Sequence, residues 1–377
     1  MEKLAIPIAQ PQESCCGGPD WPPAGPHERP GYRICHYVAD FVESPVGPVP
    51  RLPTRLTWRD SVGTVRARLG MWRNDYRVAP GLYCVGRPDR RAPVLVTANY
   101  KLTLDSLREN LDGLAAWILL LDTRGVNVWC AAAHQTFGTA ELLHRLAHCR
   151  VDQLVEHRRL IVPQLGAAGV TALRIRKESG FTVVWGPLRA ADLPSFLAGD
   201  GHAAGQAREL TFTLRERLAL VPVELTLALK PVLLLLAGIF LWSGLGPGTF
   251  SLAAAVARWL PAALALLIGL LAGAVLVPLL LPWLPFRAFY LKGIVVALPL
   301  AGLFLRFAGN RPMEQAALLS MCVAVSSCAA MNFTGATPYT SPSGVEKEMR
   351  RGIPLQVVLA LAAMLLWLLG AFSGGGR

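Results

Sequence analysis

The sequence lacks the motifs that define the common nucleotide-binding and zinc enzymes. It contains no glycine-rich phosphate loop, no HExxH pair and no paired CxxC motif. Its eight cysteines also lack the spacing that an iron–sulfur cluster requires. These absences exclude the usual cofactor signatures, so any chemistry must come from a less common pattern.

Charged residues are scarce as well. They make up 16% of the 377 residues, against 53% hydrophobic residues and a mean hydropathy of +0.40, whereas about 25% is usual in a soluble domain. The scarcity is concentrated beyond residue 218, where only 10 of the 37 Lys and Arg and 4 of the 25 Asp and Glu occur. The sequence therefore predicts one globular half and one half that lies in lipid.

The net charge of +12 does not indicate a nucleic-acid partner. Basic residues are scattered over the first half, and in the second half they lie at the ends of apolar segments, where such charges fix membrane topology. We predict that the protein binds no nucleic acid.

The first 14 residues lack the apolar core of a secretory signal, so the first domain is expected in the cytoplasm. Thiols in that compartment are normally reduced. A cysteine that matters here is therefore expected to act as a ligand or a nucleophile and not in a disulfide.

The chain divides into three parts by composition. Residues 1–60 are rich in Pro and Gly and predict an extended N-terminal arm with one ordered piece at residues 32–42. Residues 61–217 alternate strand-like and helical patterns, which predicts a cytoplasmic α/β domain. The predicted strands are 94–97, 117–121, 160–162, 172–175 and 181–185, and the predicted helices are 104–111 and 140–149.

Residues 218–377 predict an all-α transmembrane domain. Five apolar segments, at about 218–242, 259–281, 288–307, 314–333 and 353–372, each have the roughly 20 residues that cross a bilayer. Eight Lys and Arg lie at the ends that would face inward with the first domain, against four at the other ends. The positive-inside rule then predicts a multi-pass protein of the cell inner membrane with its C-terminus outside.

A short segment after the second predicted strand carries the most distinctive pattern. It reads N-V-W-C-A-A-A-H-Q-T-F-G-T from Asn127 to Thr139 and places Cys130 near the start of a helix. Backbone N–H groups at such a position lower the pKa of a thiol and favour the thiolate. The alternative is a buried and inert cysteine.

This segment resembles the cap-helix motif of the mercury-methylation corrinoid protein family, N-[VI]-W-C-A-[AG]-G-K. Residues 127–132 keep the motif, while Ala133 and His134 stand in place of the family's Gly and Lys, and Gln135 also departs. Similarity extends to residues 94–104, 117–123 and 332–349. The family is related to the corrinoid iron–sulfur protein of the acetyl-CoA pathway.

The resemblance implies a Rossmann-like corrinoid-binding domain followed by five transmembrane helices. It implies a cobalamin-type corrinoid with Cys130 as the lower axial ligand of cobalt and as the catalytic residue. Residues implied to line the cofactor are Thr97, Asn99, Tyr100, Thr123, Asn127, Val128, Trp129, Cys130, Ala131, Ala132 and His134. A soft thiolate suits cobalt and, opposite a methyl group, donates electron density that favours its departure.

The resemblance also implies partners. The methyl group would come from a donor of the folate pathway, Hg(II) would accept it to form methylmercury, and a small ferredoxin-like iron–sulfur protein would supply electrons. Two other functions remain open: a corrinoid methyl carrier of the acetyl-CoA pathway type or for another acceptor, and a cofactor-free membrane binding module.

Other metal-binding side chains have open roles. His134 is an alternative axial ligand, a hydrogen-bond donor to the thiolate, or a polar substitute for the family's Lys. Cys15 and Cys16 either bind Hg(II), as vicinal thiolates do with soft metals, or form a plain pair in the arm. His144, His148 and Cys149 have a spacing compatible with zinc or simply with an exposed helix face.

Overall fold

The computed structural model describes residues 36–71, 73–199, 211–308, 311–337 and 340–373. The chain divides into two compact units, an α/β unit that ends before Thr211 and a helical unit that starts there. Cys15 and Cys16 lie outside the described residues.

A seven-stranded sheet organises the α/β unit. Its strands are β1 Asp40–Val42, β2 Val49–Arg51, β3 Gly81–Val85, β4 Val94–Ala98, β5 Ala116–Leu121, β6 Arg159–Pro163 and β7 Thr182–Gly186. They are ordered β1-β2-β3-β5-β4-β6-β7, and β5, β4, β6 and β7 run parallel, while β3 is antiparallel to β5. The described residues of this unit form the α-helices α1 Trp58–Arg68, α2 Lys101–Glu109, α3 Val128–Ala133, α4 Thr139–His148, α5 Val151–Leu154, α6 Ala172–Ser179 and α7 Leu193–Ala198.

The central strand β5 shows why both sheet faces are covered. Trp117, Leu119 and Leu121 enter the core on the face of α3 and α4. Ile118 and Leu120 enter the core on the face of α2 and α7. Since side chains alternate along a strand, a strand buried on both faces needs an unbroken apolar run, which is what this sequence has.

One predicted strand is wrong. Residues 172–175 begin α6, because Ile175 alone of that helix is buried and the ion pair between Arg174 and Glu178, 2.7 Å at i,i+4, supports a helical turn. The strands β2 and β3 were not predicted, and β2 lies within the stretch expected to be an irregular arm.

The order of the parallel strands creates a crevice at the carboxyl ends of β4 and β6. The chain goes from β4 to β5 on one side and then returns past β4 to β6 on the other. In open α/β sheets this reversal of direction is where ligands bind.

The helical unit has five helical segments long and apolar enough to cross a membrane, which confirms the predicted number. They are α8 Leu214–Ser243, α9 Leu252–Leu270 continued through a π-helical turn Leu271–Leu276 into α10 Val277–Leu280, α11 Phe289–Ala308, α12 Pro312–Asn332 and α13 Pro342–Phe372. A two-stranded hairpin, β8 Leu245–Gly246 and β9 Thr249–Phe250, follows α8.

Small residues let the helices of this unit approach α12 closely. A Cβ atom at Gly293 would lie 2.5 Å from the carbonyl oxygen of Ser326, and one at Gly273 would overlap that same oxygen. The hydroxyl of Ser326 in turn donates to the carbonyl of Gly293 at 2.8 Å. Close backbone contact with short polar links is the usual way in which membrane helices associate.

Candidate functional site

Cys130 lies on α3, which covers the crevice between β4 and β6. The helix packs against the end of β4 and against the short turn Gln164–Gly166 that follows β6. The distinctive sequence segment is therefore at the sheet edge where α/β folds bind ligands.

Asn127 sets the start of α3. Its side-chain oxygen accepts a hydrogen bond from the backbone N–H of Cys130 at 2.9 Å, the usual geometry of an N-cap. Cys130 is therefore the third residue of the helix, and its backbone donor is already satisfied.

The two faces of α3 differ in composition. Val128, Ala131 and Ala132 are buried in the core, and the two alanines are small enough to bring the helix onto the sheet. Cys130 is half-buried and Ala133, three residues later on the same side, is exposed. The thiol is thus on the face that a ligand over the crevice would meet.

His134 is the C-cap of α3. Its backbone N–H donates to the carbonyl of Cys130 at 3.1 Å, so the two residues are one turn apart, and its side chain is half-buried. Gln135 then takes a left-handed conformation, with φ of 63°, which ends the helix.

The other residues expected to line the cofactor lie in three places. Thr97, Asn99 and Thr123 are buried at the ends of β4 and β5, next to α3. Tyr100 is buried at the start of α2, and its backbone pairs with Arg77. Val128, Ala131 and Ala132 face the core, so they lie on the side of α3 that packs against the sheet.

A turn leads from β5 into α3. The backbone N–H of Val126 donates to the carbonyl of Thr123 at 3.1 Å, and Arg124 and Gly125 have φ of 57° and 76°. Positive φ at both central residues is the pattern of a type I′ turn. Sequence reasoning missed this turn, although Arg124-Gly125 after a strand carries a partial signal for it.

Two glycines let the segment after β6 approach α3. A Cβ at Gly166 would lie 2.5 Å from the ring of Phe137, and one at Gly169 would overlap the carbonyl oxygen of Phe137 and lie 3.1 Å from Ala132. The carbonyl of Gly169 also accepts from the backbone N–H of Thr139 at 3.1 Å. No local sequence signal indicates these contacts, because they join residues about 30 positions apart.

Gly169→Ala is therefore expected to displace the segment that carries Cys130. The added methyl group meets backbone atoms that cannot rotate away, so we expect a loss of stability of about 1–3 kcal/mol, typical of overpacking. Thermal unfolding measures it, with Gly180→Ala, whose site is open but has φ of 75°, as the control for backbone strain alone. A smaller loss for Gly169→Ala than for the control would contradict the close packing.

The zinc alternative finds no support in the described part of the chain. The rings of His144 and His148 stack at 5.8 Å on an exposed helix face. Burial raises the pKa of the Cys149 thiol to about 11. Among the described residues no three His, Cys, Asp or Glu side chains converge as a metal site requires.

A buried ionic cluster lies at the start of α2. The Lys101 ammonium contacts Asp60 at 2.7 Å and Asp105 at 2.5 Å, and Arg108 contacts the same two carboxylates at 3.0 and 2.8 Å. All four side chains are almost fully buried, and their charges cancel. The cluster ties α1 to α2 directly after Asn99 and Tyr100.

Comparison with known proteins finds similarity within the α/β unit. The family described as CO dehydrogenase/acetyl-CoA synthase delta subunit, CdhD, matches residues 55–197. Similar proteins include the acetyl-CoA decarbonylase/synthase complex subunit gamma of Methanopyrus kandleri, 31% identical over 170 residues, which are 45% of this chain and 35% of that protein. The corrinoid/iron–sulfur protein large subunit of Moorella thermoacetica is 28% identical over 122 residues, 32% of this chain and 27% of that protein.

Residues 55–197 are thus similar to the CdhD family and to the acetyl-CoA decarbonylase/synthase and corrinoid/iron–sulfur subunits named above. The match lies within the α/β unit and includes α3 with Cys130. The chain spans about a third or less of the length of these relatives.

Proposed function

We propose that this protein is a membrane-anchored corrinoid protein that transfers a methyl group from cobalt to Hg(II). In this proposal the α/β unit holds a cobalamin-type cofactor over Cys130. The observation that carries it is the half-buried thiol on α3 over the β4–β6 crevice, inside a domain similar to the CdhD family.

The residues present fit such a cofactor. A thiolate is a soft ligand, which suits cobalt, and Asn127 has already satisfied the backbone donor of Cys130. Ala133, on the same side of α3, has a small side chain. When bound, the corrinoid supplies a cobalt–carbon bond that carries the methyl group.

In this proposal the protein itself supplies the cobalt ligand, fixes the orientation of α3 and excludes water from the cofactor. The Cys130 thiolate would hold the cobalt of the corrinoid, and electron donation from this soft ligand would favour transfer of a methyl group to the electrophile Hg(II). The N-cap at Asn127 and the packing of Ala131 and Ala132 fix the direction of α3.

Electrons and methyl groups must come from partners in this proposal. The eight cysteines have no cluster spacing, which supports a separate ferredoxin-like iron–sulfur protein as the reductant. A methylated folate-type donor would supply the methyl group, as the relationship to the acetyl-CoA pathway suggests.

A second candidate is a methyl carrier for another acceptor. The similarity to subunits of acetyl-CoA decarbonylase/synthase complexes favours it. The same Cys130 site would serve, and only the acceptor would differ. A cofactor-free binding module is the remaining alternative.

The experiment that separates these functions uses the full chain purified in detergent and loaded with methylcobalamin. After removal of free cofactor, Hg(II) is added and methylmercury is measured. Bound corrinoid with methylmercury supports the proposal, and bound corrinoid without it favours the methyl carrier. Failure to retain corrinoid leaves the binding module.

The departures at Ala133 and His134 are expected to slow the reaction. An imidazole at His134 in place of the family's Lys removes a fixed positive charge near the thiolate and weakens the hold of the thiolate on cobalt, because a nearby cation stabilises the charged form of a thiol. We expect Ala133→Gly with His134→Lys to raise the methylmercury rate, measured in a host that supplies the ferredoxin partner. An equal or lower rate would contradict an effect of these residues on Cys130.

The proposed topology places the corrinoid unit and the first two turns of α11 and α13, with Lys292 and Lys347, in the cytoplasm and Arg377 outside. Reporter fusions at Ser343 and after Arg377 test it. We expect a cytoplasmic signal at Ser343 and an external signal after Arg377. A cytoplasmic signal at both points would mean that the helical segments do not all cross the membrane.

A further inference from the structure

We infer that Asn99 is a positioning residue that fixes the turn leading into α3, and thereby the place of the Cys130 thiol, and that it does not contact the cofactor. The inference deepens the proposed function, on which the role of Cys130 rests. It replaces the sequence-based expectation that Asn99 lines the cofactor.

The side chain of Asn99 is committed to the protein. It is 1% exposed, and its amide oxygen accepts from the backbone N–H of Thr123 at 3.0 Å and from the backbone N–H of Gly125 at 3.1 Å, while the Thr123 hydroxyl oxygen lies 3.0 Å away. Its amide nitrogen donates to Asp122 at 3.1 Å. A carbonyl oxygen has two lone pairs, so these two backbone donors leave it no acceptor capacity for a ligand.

The backbone of Asn99 is also fixed. Its N–H donates to the carbonyl of Leu121 at 3.0 Å, and its carbonyl accepts from the N–H of Val78 at 2.8 Å. Asn99 therefore ties the end of β4 to the end of β5 from a rigid position.

The turn that Asn99 holds needs outside support. Arg124 takes a left-handed conformation, which is unfavourable for a residue with a side chain. The N–H groups of Thr123 and Gly125 both point to the Asn99 oxygen, and Glu141 of α4 accepts the N–H of Asp122 at 2.9 Å. The turn is thus held from β4 and from α4.

The path from this turn to the thiol is short. The Thr123 hydroxyl donates to the carbonyl of Val126 at 2.6 Å, and Asn127 comes next and caps α3 through the N–H of Cys130. A shift of the turn is therefore passed directly to the cap and to the first turn of α3.

The polarity of the link between Asn99 and Asp122 offers a sharp test. Asn99→Ala removes the three side-chain hydrogen bonds to the N–H groups of Thr123 and Gly125 and to Asp122. Asn99→Asp keeps the acceptor for the turn but places its carboxylate against that of Asp122. Adding Asp122→Asn restores the hydrogen bond between the two side chains, with residue 122 as the donor and residue 99 as the acceptor. Ile175→Ala, a fully buried position on α6, is a control of general destabilisation.

Two readouts are measured on the full chain. Hydrogen exchange of the cofactor-free protein follows the amides of residues 122–130. The absorbance of the cobalamin-loaded protein follows sulfur-to-cobalt charge transfer. The first readout does not depend on the proposed function.

We expect Asn99→Ala and Asn99→Asp to speed exchange of residues 122–130 by about tenfold or more, the scale of losing hydrogen bonds to buried donors. The double variant is expected to recover slow exchange and the wild-type spectrum, while Ile175→Ala changes neither selectively. Unchanged exchange at residues 122–130, or the same change in the control, would overturn the inference. A wild-type protein without thiolate-bound cobalt would instead refute the proposed function and leave the exchange result to decide the role of Asn99.

Discussion

Cys130→Ala is expected to abolish methyl transfer while leaving the α/β unit folded. The side chain is half-buried on the outer face of α3, and the Asn127 cap bonds to the backbone of Cys130 and not to its sulfur. The change therefore removes the ligand without removing the helix. We expect methylmercury formation to fall by at least about 100-fold, the scale of losing one key electrostatic contact to a reacting group.

A second cysteine variant, Cys84→Ala, is the matched control. It separates the loss of the cobalt ligand from the loss of any thiol. Burial raises the pKa of the Cys84 thiol to about 12, so that side chain is protonated and inert. Cys84→Ala is expected to keep methyl transfer, apart from a modest loss of stability. Equal methyl-transfer activity of Cys130→Ala and Cys84→Ala would contradict the role of Cys130 as the cobalt ligand.

Lys101→Met is expected to cost about 3–5 kcal/mol of unfolding free energy, the usual result of breaking one side of a buried ion pair. The change leaves Asp60 and Asp105 with Arg108 as the only buried cation of the cluster. Denaturation of the full chain in detergent, followed by the tryptophan signal of the α/β unit, measures the loss. Arg174→Gln, at an exposed ion pair with Glu178, is the control and should cost less than about 1 kcal/mol.

The loss of unfolding free energy in Lys101→Met is expected to depend on pH. Burial alone would raise the pKa of Asp60, but hydrogen bonds from Lys101 and Thr57 outweigh it and hold the pKa well below the usual range. A lowered folded-state pKa contributes stability above the unfolded value of about 3.9, and that contribution is lost as the pH falls below it. The difference between wild type and Lys101→Met should therefore shrink below about pH 4. A constant difference down to pH 2 would contradict the role of Asp60 in the cluster.

Secondary-structure elements could be predicted from the sequence where burial alone determines their hydropathy pattern. Strands β4 to β7 carry apolar runs, and the five long helices carry spans of membrane length, so hydropathy located them. It failed at residues 172–175, where a short mixed run does not distinguish a strand from the first turn of α6. It also missed β3, a five-residue run between Pro80 and Gly86.

The site was only partly visible in the sequence for a different reason. The Asn127–Ala133 pattern is local, so the position of Cys130 near the start of a helix could be expected. The roles of Asn99, Gly166 and Gly169 depend on contacts with residues 24 to 32 positions away, which no window of sequence shows. The ionic cluster likewise joins Asp60 and Lys101, 41 residues apart.

The electron paramagnetic resonance spectrum of the full chain loaded with Co(II) cobalamin tests the central claim most directly. A nitrogen ligand splits each cobalt line into a triplet through its nuclear spin, and a sulfur ligand does not. We predict unsplit lines for the wild type and a changed spectrum for Cys130→Ala. Triplet splitting in the wild type, from the cofactor's own base or from His134, or identical spectra for the two proteins, would contradict the assignment of Cys130 as the axial ligand.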